Sequence, residues 1–359
     1  MLKVSVLTPA YNSARYIGET IRCVLGQDYG NLEVIVLNDA STDNTVEVVK
    51  SFSDSRIKLF HNERNLGLAG VRNRLLDLAD GDYLAWQDSD DLCTPDRISK
   101  QMSFLLQNPE YLVVGSGATV IDEDSKEIHK NLITPLFLDN DEIAVSMCFE
   151  DPFTNSSMLM RKSAADGIRF DPDFPPYEDY DFWEKVSCRG KVANLPDQLI
   201  QYRRHGIQTS RNTNLERDKL FHRKIWARRF QRIGMPLQTW EKYSELHWEV
   251  CRGNYWERHK TLRPLLSWFT KIIQANRLGC VLKHQSLVRY LQSRVERLGW
   301  ACPYDGTSAG IGIFAVKWMS SWAWKTSLSD YLFKKLKLAP SLMRNTHRLK
   351  AVSSDPSFP

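Results

Sequence analysis

The densest concentration of chemistry in this chain of 359 residues is Asp88-Ser89-Asp90-Asp91. Three carboxylates in four residues repel one another unless a cation neutralises them. Hard oxygen ligands select Mg2+ or Mn2+, ions that usually keep waters and bridge to phosphates. A solvated acidic turn capping the next helix is the plain alternative. Two further groups invite a nucleotide: Asp39 could accept the imide N–H of a uracil ring, and Tyr11 could stack on that ring. Helix capping and packing at the core boundary account for the same two residues without a ligand. Arg72, within the run from Asn65 to Asn73, could clamp a phosphate bidentately or, with Arg74, simply face solvent. In Glu178-Asp179-Tyr180-Asp181-Phe182-Trp183 the acids suit the dipole of a helix N-terminus; alternatively they supply a general base for an acceptor hydroxyl. His205, in Tyr202-Arg203-Arg204-His205-Gly206, is a candidate third metal ligand or an ordinary loop histidine.

The elements that must position these residues alternate. Val4-Ser5-Val6-Leu7 reads as a buried strand ended by Pro9, and Ile17, Ile21, Val24 and Leu25 recur at helical spacing. Residues 33–37 form the next strand, and Thr42/Asp43 opens a helix with Val46, Val49 and Phe52 inward. A third strand at 57–60, a helix at 65–79 and a fourth strand at 83–86 follow. Thr94-Pro95 then reads as an N-cap followed by Pro at the first helical position. This pattern predicts an α/β fold with right-handed crossovers and a doubly wound, mostly parallel sheet flanked by helices. In such sheets ligands bind beyond the carboxyl ends of the strands. Thr8-Pro9-Ala10-Tyr11-Asn12, Asn38-Asp39-Ala40-Ser41 and the acidic run at Asp88 all fall there. Later, strands are expected at 112–114, 118–121 and 154–160, a loop at 139–142 and a helix at 177–186.

Charge divides the chain. Up to Ser210 there are 21 Lys+Arg against 33 Asp+Glu, net −12, and beyond it 27 against 10, net +17, giving +5 for the whole. Nine of the eleven tryptophans lie in that basic part. Three domains are therefore expected: 1–210, a helical basic region at 211–340, and a polar, disordered tail at 341–359. Trp318, Trp322 and Trp324 stand beside Lys317, Lys325, Lys334, Lys335 and Lys337. Such a mixture suits peripheral contact with an anionic membrane surface, or else a helical appendage whose tryptophans are core. The seven cysteines sit singly, which argues against a zinc module and a disulfide framework, so a reducing cytoplasm is expected. MLKVSVLTPAYN carries no leader-like apolar region, and no stretch approaches the ~18 apolar residues of a spanning helix.

Taken in order, VSVLTPAYN, LEVIVLNDASTDNT, NLGLAGVRN, YLAWQDSDD, FTNSSMLMRKSA, YEDYDFW and YRRHGIQTS resemble glycosyltransferase family 2, the inverting GT-A-fold enzymes. The resemblance covers about the first 210 residues and is specific in combination, since order and spacing agree across the segments. It implies a nucleotide-sugar donor, with UDP favoured, a Mn2+ or Mg2+ cofactor, and a glycan or lipid-linked acceptor. Thr8, Pro9 and Tyr11 would line the base and Asp39 would bond to it, while Arg72 would help hold the nucleotide. Asp88 and Asp90 would be the acids of the DxD motif, Asp88 toward the ribose and Asp90 on the metal. Asp179 would be the catalytic base. Ala40 stands where the family often has glycine, and no QxxRW motif follows, so processive polymer synthesis is not implied. Three rivals remain at this level. A nucleotidyltransferase would show a Gly-rich, basic loop where this chain has TPAYNSA. A nucleic-acid-binding protein is suggested by the basic, aromatic second part, which spells no recognised binding motif. The intact acids Asp88, Asp90 and Asp179 argue against a silent member that only binds nucleotide. No nucleic-acid partner is expected.

Overall fold

The computed structural model describes residues 2–133, 138–206, 208, 214–252, 254–259 and 263–300. The tryptophan- and lysine-containing stretch 311–359, including the tail at 341–359, lies outside the described residues. Two compact units divide the chain, Met1–Arg229 and Phe230–Pro359.

In the first unit β1 (Val4–Ala10), β2 (Leu32–Asn38), β3 (Ile57–His61) and β4 (Tyr83–Trp86) pair in parallel in the order β3-β2-β1-β4. Every residue of β1 and β2 is buried, as expected of parallel strands covered on both faces. The covering helices are α1 (Ile17–Leu25), α2 (Thr45–Lys50) and α3 (Gly67–Leu78). Register pairs Ala10 with Asn38 and Leu7 with Trp86, so the three strands end at one edge. Past β4 the sheet turns antiparallel, through β8 (Leu159–Arg161) to β6 (Tyr111–Ile121), which then pairs in parallel with β9 (Lys191–Arg203). β5 (Leu92–Cys93) closes one end against β9, and β7 (Glu127–Ile133) lies on β6. The helices α4 (Arg97–Gln107), α5 (Asn140–Ser146) and α6 (Glu178–Val186) complete the layer, and α7 (Leu215–Arg232) begins beyond β9.

Four local expectations shift, each for a physical reason. The two short strands expected at 112–114 and 118–121 are one strand, because Gly115, Ser116 and Gly117 stay paired with β9, and only glycine fits the close approach at 115. A Cβ at that position would lie 2.3 Å from Asn194 Oδ1 and 2.8 Å from Met158 Sδ. The Asp-rich loop at 139–142 starts α5, with the Asp139 side chain accepting the Glu142 N–H at 2.9 Å. Helix α4 has Asp96 at its N-cap, two residues after Thr94, whose hydroxyl bonds Asp96 at 2.7 Å. The expected strand at 154–160 opens instead as a 3-10 turn over Asn155–Ser157, since the Ser157 hydroxyl bonds back to the Thr154 carbonyl at 2.7 Å. That turn matters for the site.

The second unit is helical: α8 (Leu237–Arg252), α9 (Tyr255–Arg258), α10 (Arg263–Gly279) and α11 (His284–Trp300). Trp240, Trp268, Phe230 and His247 form its aromatic centre, where the Trp268 indole donates to His247 Nδ1 at 3.0 Å. Among the described residues no helix is long and apolar enough to cross a membrane.

Candidate active site

The shared edge of β1, β2 and β4 carries the first site residues. Thr8 and Pro9 lie inside β1 and are buried, and the Thr8 hydroxyl has no hydrogen-bond partner among the described residues. Tyr11, just past the strand, is 51% exposed and so available to a flat ligand. Asn12 and Ala40 both adopt left-handed backbone, with φ of 48° and 57°. The two turns are stitched together: the Asn12 side-chain oxygen accepts the Thr42 N–H at 2.8 Å, and Asn12 N donates to the Ser41 hydroxyl at 2.9 Å. Asp39 is buried. Its carboxylate accepts the Asn62 amide at 2.6 Å, the Leu66 N–H at 2.9 Å and the Gly67 N–H at 3.1 Å. It therefore ties β2 to the start of α3, the capping role anticipated as its plain alternative.

The acidic run after β4 is held from behind by two buried arginines. Arg97 binds the Trp86 carbonyl and the Gln87 side chain, both at 2.8 Å. Arg203, at the end of β9 and fully buried, binds the Asp90 carbonyl at 2.7 Å, the Ser125 hydroxyl at 2.8 Å and Glu19 at 2.8 Å, with its guanidinium over the Tyr16 ring. These contacts fix the loop so that Asp88 and Asp90 keep part of their side chains open, while Asp91 is buried. Asp91 accepts the Arg203 N–H at 2.9 Å and meets the Ser156 hydroxyl at 2.5 Å, and the same hydroxyl is 2.9 Å from Asp88. One hydroxyl has one proton and cannot donate to both. Burial, followed by the charges of Asp90 and Asp88, pushes the Asp91 carboxyl well above its ordinary range. A protonated Asp91 donating to Ser156, which in turn donates to Asp88, satisfies all three groups. Burial also raises Asp88, against the pull of Arg72.

His205 Nε2 lies 2.8 Å from Asp90 Oδ2, with the Tyr16 ring against the imidazole at 4.9 Å. Among the described residues no three His, Cys, Asp or Glu side chains are grouped to hold an ion. Asp90 and His205 supply one oxygen and one nitrogen donor at a half-open position. That donor set fits an ion completing its shell with waters and phosphate oxygens.

Arg72 is buried on the inner face of α3. It bonds Glu178 at 2.7 Å, approaches Asp88 at 3.7 Å and lies over the Phe170 ring, so it is not a solvated helix residue. Glu178 and Asp179 occupy the first turn of α6, where the helix dipole favours negative charge. Burial pushes the Glu178 carboxyl up to about 7 despite the Arg72 guanidinium, with the Asp179 charge pushing the same way. Asp179 is partly exposed, and one of its oxygens accepts the Tyr180 N–H at 2.8 Å. Its charge acts on Arg72, Asp88 and a further acid, Asp151, which burial holds well above its usual range. Asp88, Arg72 and Asp179 are thus one electrostatic cluster, although Asp179 is 91 positions beyond Asp88. Asp90 adjoins it through its own loop, and Asp39 and Tyr11 occupy the neighbouring strand ends. Sequence reasoning missed Asn155, Ser156, Asp151, the pairing of Glu178 with Arg72 and the bracing role of Arg203.

The chain is similar to known proteins in sequence and in fold. The profile of Glycosyl transferase family 2 matches residues 5–168. An uncharacterized glycosyltransferase of Haemophilus influenzae is 39% identical over 281 residues, 73% of this chain and 84% of that protein. The UDP-Glc:alpha-D-GlcNAc-diphosphoundecaprenol beta-1,3-glucosyltransferase WfaP of Escherichia coli is 32% identical over 218 residues, 58% of this chain and 80% of that one. In fold, the chain is similar to S. aureus TarS 1-349 in complex with UDP-GlcNAc, at TM-score 0.57 and 19% identity over 82% of this chain and 88% of that one. The nucleotidyltransferase reading is thereby set aside. With a relative that shares 39% of aligned residues across most of its own length, this chain belongs to glycosyltransferase family 2 and is a glycosyltransferase.

Proposed function

We propose that the chain transfers a sugar from a UDP-sugar to a hydroxyl of a lipid-linked glycan, with inversion at the anomeric carbon. The observation that carries this reading is the electrostatic cluster of Asp88, Arg72 and Asp179 beside the Asp90–His205 pair. The lipid-linked acceptor is supported by the diphosphoundecaprenol in the name of WfaP, and the nucleotide by both UDP-sugar relatives.

Tyr11 stacks on the base, Thr8 and Pro9 line its edge, and Asp39 meets it with the lone pair that α3 does not use. Asp88 faces the ribose, held there by Ser156 and by Arg72, through which Arg72 supports the nucleotide. Asp90 and His205 would hold Mn2+ or Mg2+, which supplies Lewis-acid stabilisation of the departing diphosphate. Asp179 takes the proton of the acceptor hydroxyl as that oxygen bonds to the anomeric carbon. The carbon–oxygen bond to the diphosphate breaks, and the nucleoside diphosphate leaves. One displacement gives inversion without a covalent enzyme intermediate. The basic stretch 311–359 remains a candidate for peripheral membrane contact.

Calorimetric titration with UDP and Mn2+, paired with a transfer assay, tests the assignment. Asp90→Ala should lose metal-dependent nucleotide binding. Asp179→Asn should bind UDP as the parent does and lose roughly 10^2–10^4-fold in turnover, the usual worth of a general base. Unchanged metal-dependent binding in Asp90→Ala, or full turnover in Asp179→Asn, contradicts the scheme.

A further inference from the structure

The turn between α10 and α11, in the second unit, carries chemistry that sugar transfer does not use. At its apex Leu278 is 83% exposed and Val281 51% exposed, with Cys280 exposed between them. This exposure is built in. The Asn276 side chain clamps Leu282 from both sides, donating to its carbonyl at 2.9 Å and accepting its N–H at 2.8 Å. Cys280 N donates to the Asn276 carbonyl at 2.7 Å, and Cys280 adopts a left-handed backbone. Gly279 packs where a Cβ would lie 2.6 Å from the Ile233 carbonyl, so the turn before α8 rests against the apex. That neighbouring turn leads to Leu237, a third aliphatic side chain that is 49% exposed.

Along the chain on both sides of this apex, charge has one sign. From Arg263 through Val295 the sequence contains six Lys and Arg and no Asp or Glu. Arg263, Lys271, Arg277, Lys283 and Arg289 are exposed. Aliphatic side chains on a fixed apex, flanked along the chain by cations, with the exposed acid Glu241 one turn beyond Leu237 on α8, match a surface with phosphate outside and hydrocarbon just beneath. Nucleic acid would use the cations but has no place for Leu278 and Val281. Three aliphatic side chains also fall far short of the ~800 Å² per partner of a stable protein interface.

We propose that the α10–α11 turn is a membrane-surface anchor, inserting Leu278 and Val281 among anionic phospholipid headgroups while the flanking Arg and Lys bind their phosphates. The anchor rests on the geometry of the second unit and does not depend on the donor, metal or base assignments above. It is also distinct from the stretch 311–359.

Sedimentation of the full chain with vesicles tests it, without any nucleotide present. The parent should pellet with phosphatidylcholine–phosphatidylglycerol vesicles and remain in solution with phosphatidylcholine alone. The pair Leu278→Ser and Val281→Ser should bind the anionic vesicles roughly tenfold more weakly. Arg277→Gln with Lys283→Gln should weaken binding by roughly tenfold or more at low salt, a difference that high salt erases. Far-ultraviolet dichroism and melting temperature confirm that each variant is folded. The proposal is overturned if the serine pair pellets like the parent, or if the parent ignores anionic vesicles. It is equally overturned if an oligonucleotide displaces the parent from them, or if the serine pair merely dissolves a dimer.

Discussion

Glu178 shows how one buried group can be read from outside. Its carboxyl is 2% exposed and bonded to Arg72, yet burial pushes it up to about 7. Between the ordinary glutamate value and 7, the folded chain holds a proton that the unfolded chain has released. Stability from this group is therefore complete below about pH 4.5 and is lost as pH rises through 7, a span of about 3 kcal/mol. Glu178→Gln removes that titration. Urea unfolding at pH 5 and pH 8 should show a smaller fall with pH in the variant than in the parent, and parallel falls would show that Glu178 titrates normally. Ala40 offers a second residue-scale test. Its left-handed backbone costs an L-residue about 1–2 kcal/mol, while glycine would give back about 0.5–1 kcal/mol through a freer unfolded chain. Ala40→Gly should then raise the unfolding free energy by about 0.5–1 kcal/mol, read as a higher denaturant midpoint with an unchanged slope.

At the scale of elements, the first turn of α3 depends on Asp39. Asp39→Ala leaves the Leu66 and Gly67 N–H groups and the Asn62 amide without their acceptor, at a cost of about 2 kcal/mol. Asp39→Asn keeps a side-chain oxygen there and should lose less than about 1 kcal/mol. If the carboxylate also reads the base, both variants lose UDP affinity alike while differing in melting temperature. Affinity that simply tracks stability would leave Asp39 a structural cap. The strand ends bearing Asp39 and Asp88 were legible because each buried run stops at polar residues on one edge, a local pattern. Ser156 was not, because its run looks like a strand until the Ser157 hydroxyl turns it, and because its partner Asp88 lies 68 positions away. Arg203 was hidden for the same reason: its bond to the Asp90 carbonyl spans 113 positions. Asp139 caps α5 where the sequence reads as loop, because an N-cap and a loop favour the same residue types.

Over the whole molecule, the two units carry separate cores. One is the aliphatic layer around β1, β2 and β4, the other the aromatic centre of Trp240, His247 and Trp268. Every residue assigned to donor, metal or proton transfer belongs to the first. A ligand that binds only the folded form of one unit stabilises that unit by mass action, about 2.7 kcal/mol at a hundredfold excess over its dissociation constant. For a unit of this size, each kcal/mol raises the midpoint by about 2–4 °C. Differential scanning calorimetry should therefore resolve two transitions. UDP with Mn2+ should lift one of them by about 5–10 °C and leave the other in place, and Asp90→Ala should abolish that lift. Two transitions that rise together would mean that the nucleotide is felt by both units, and the helical unit would then have to be counted as part of the donor site.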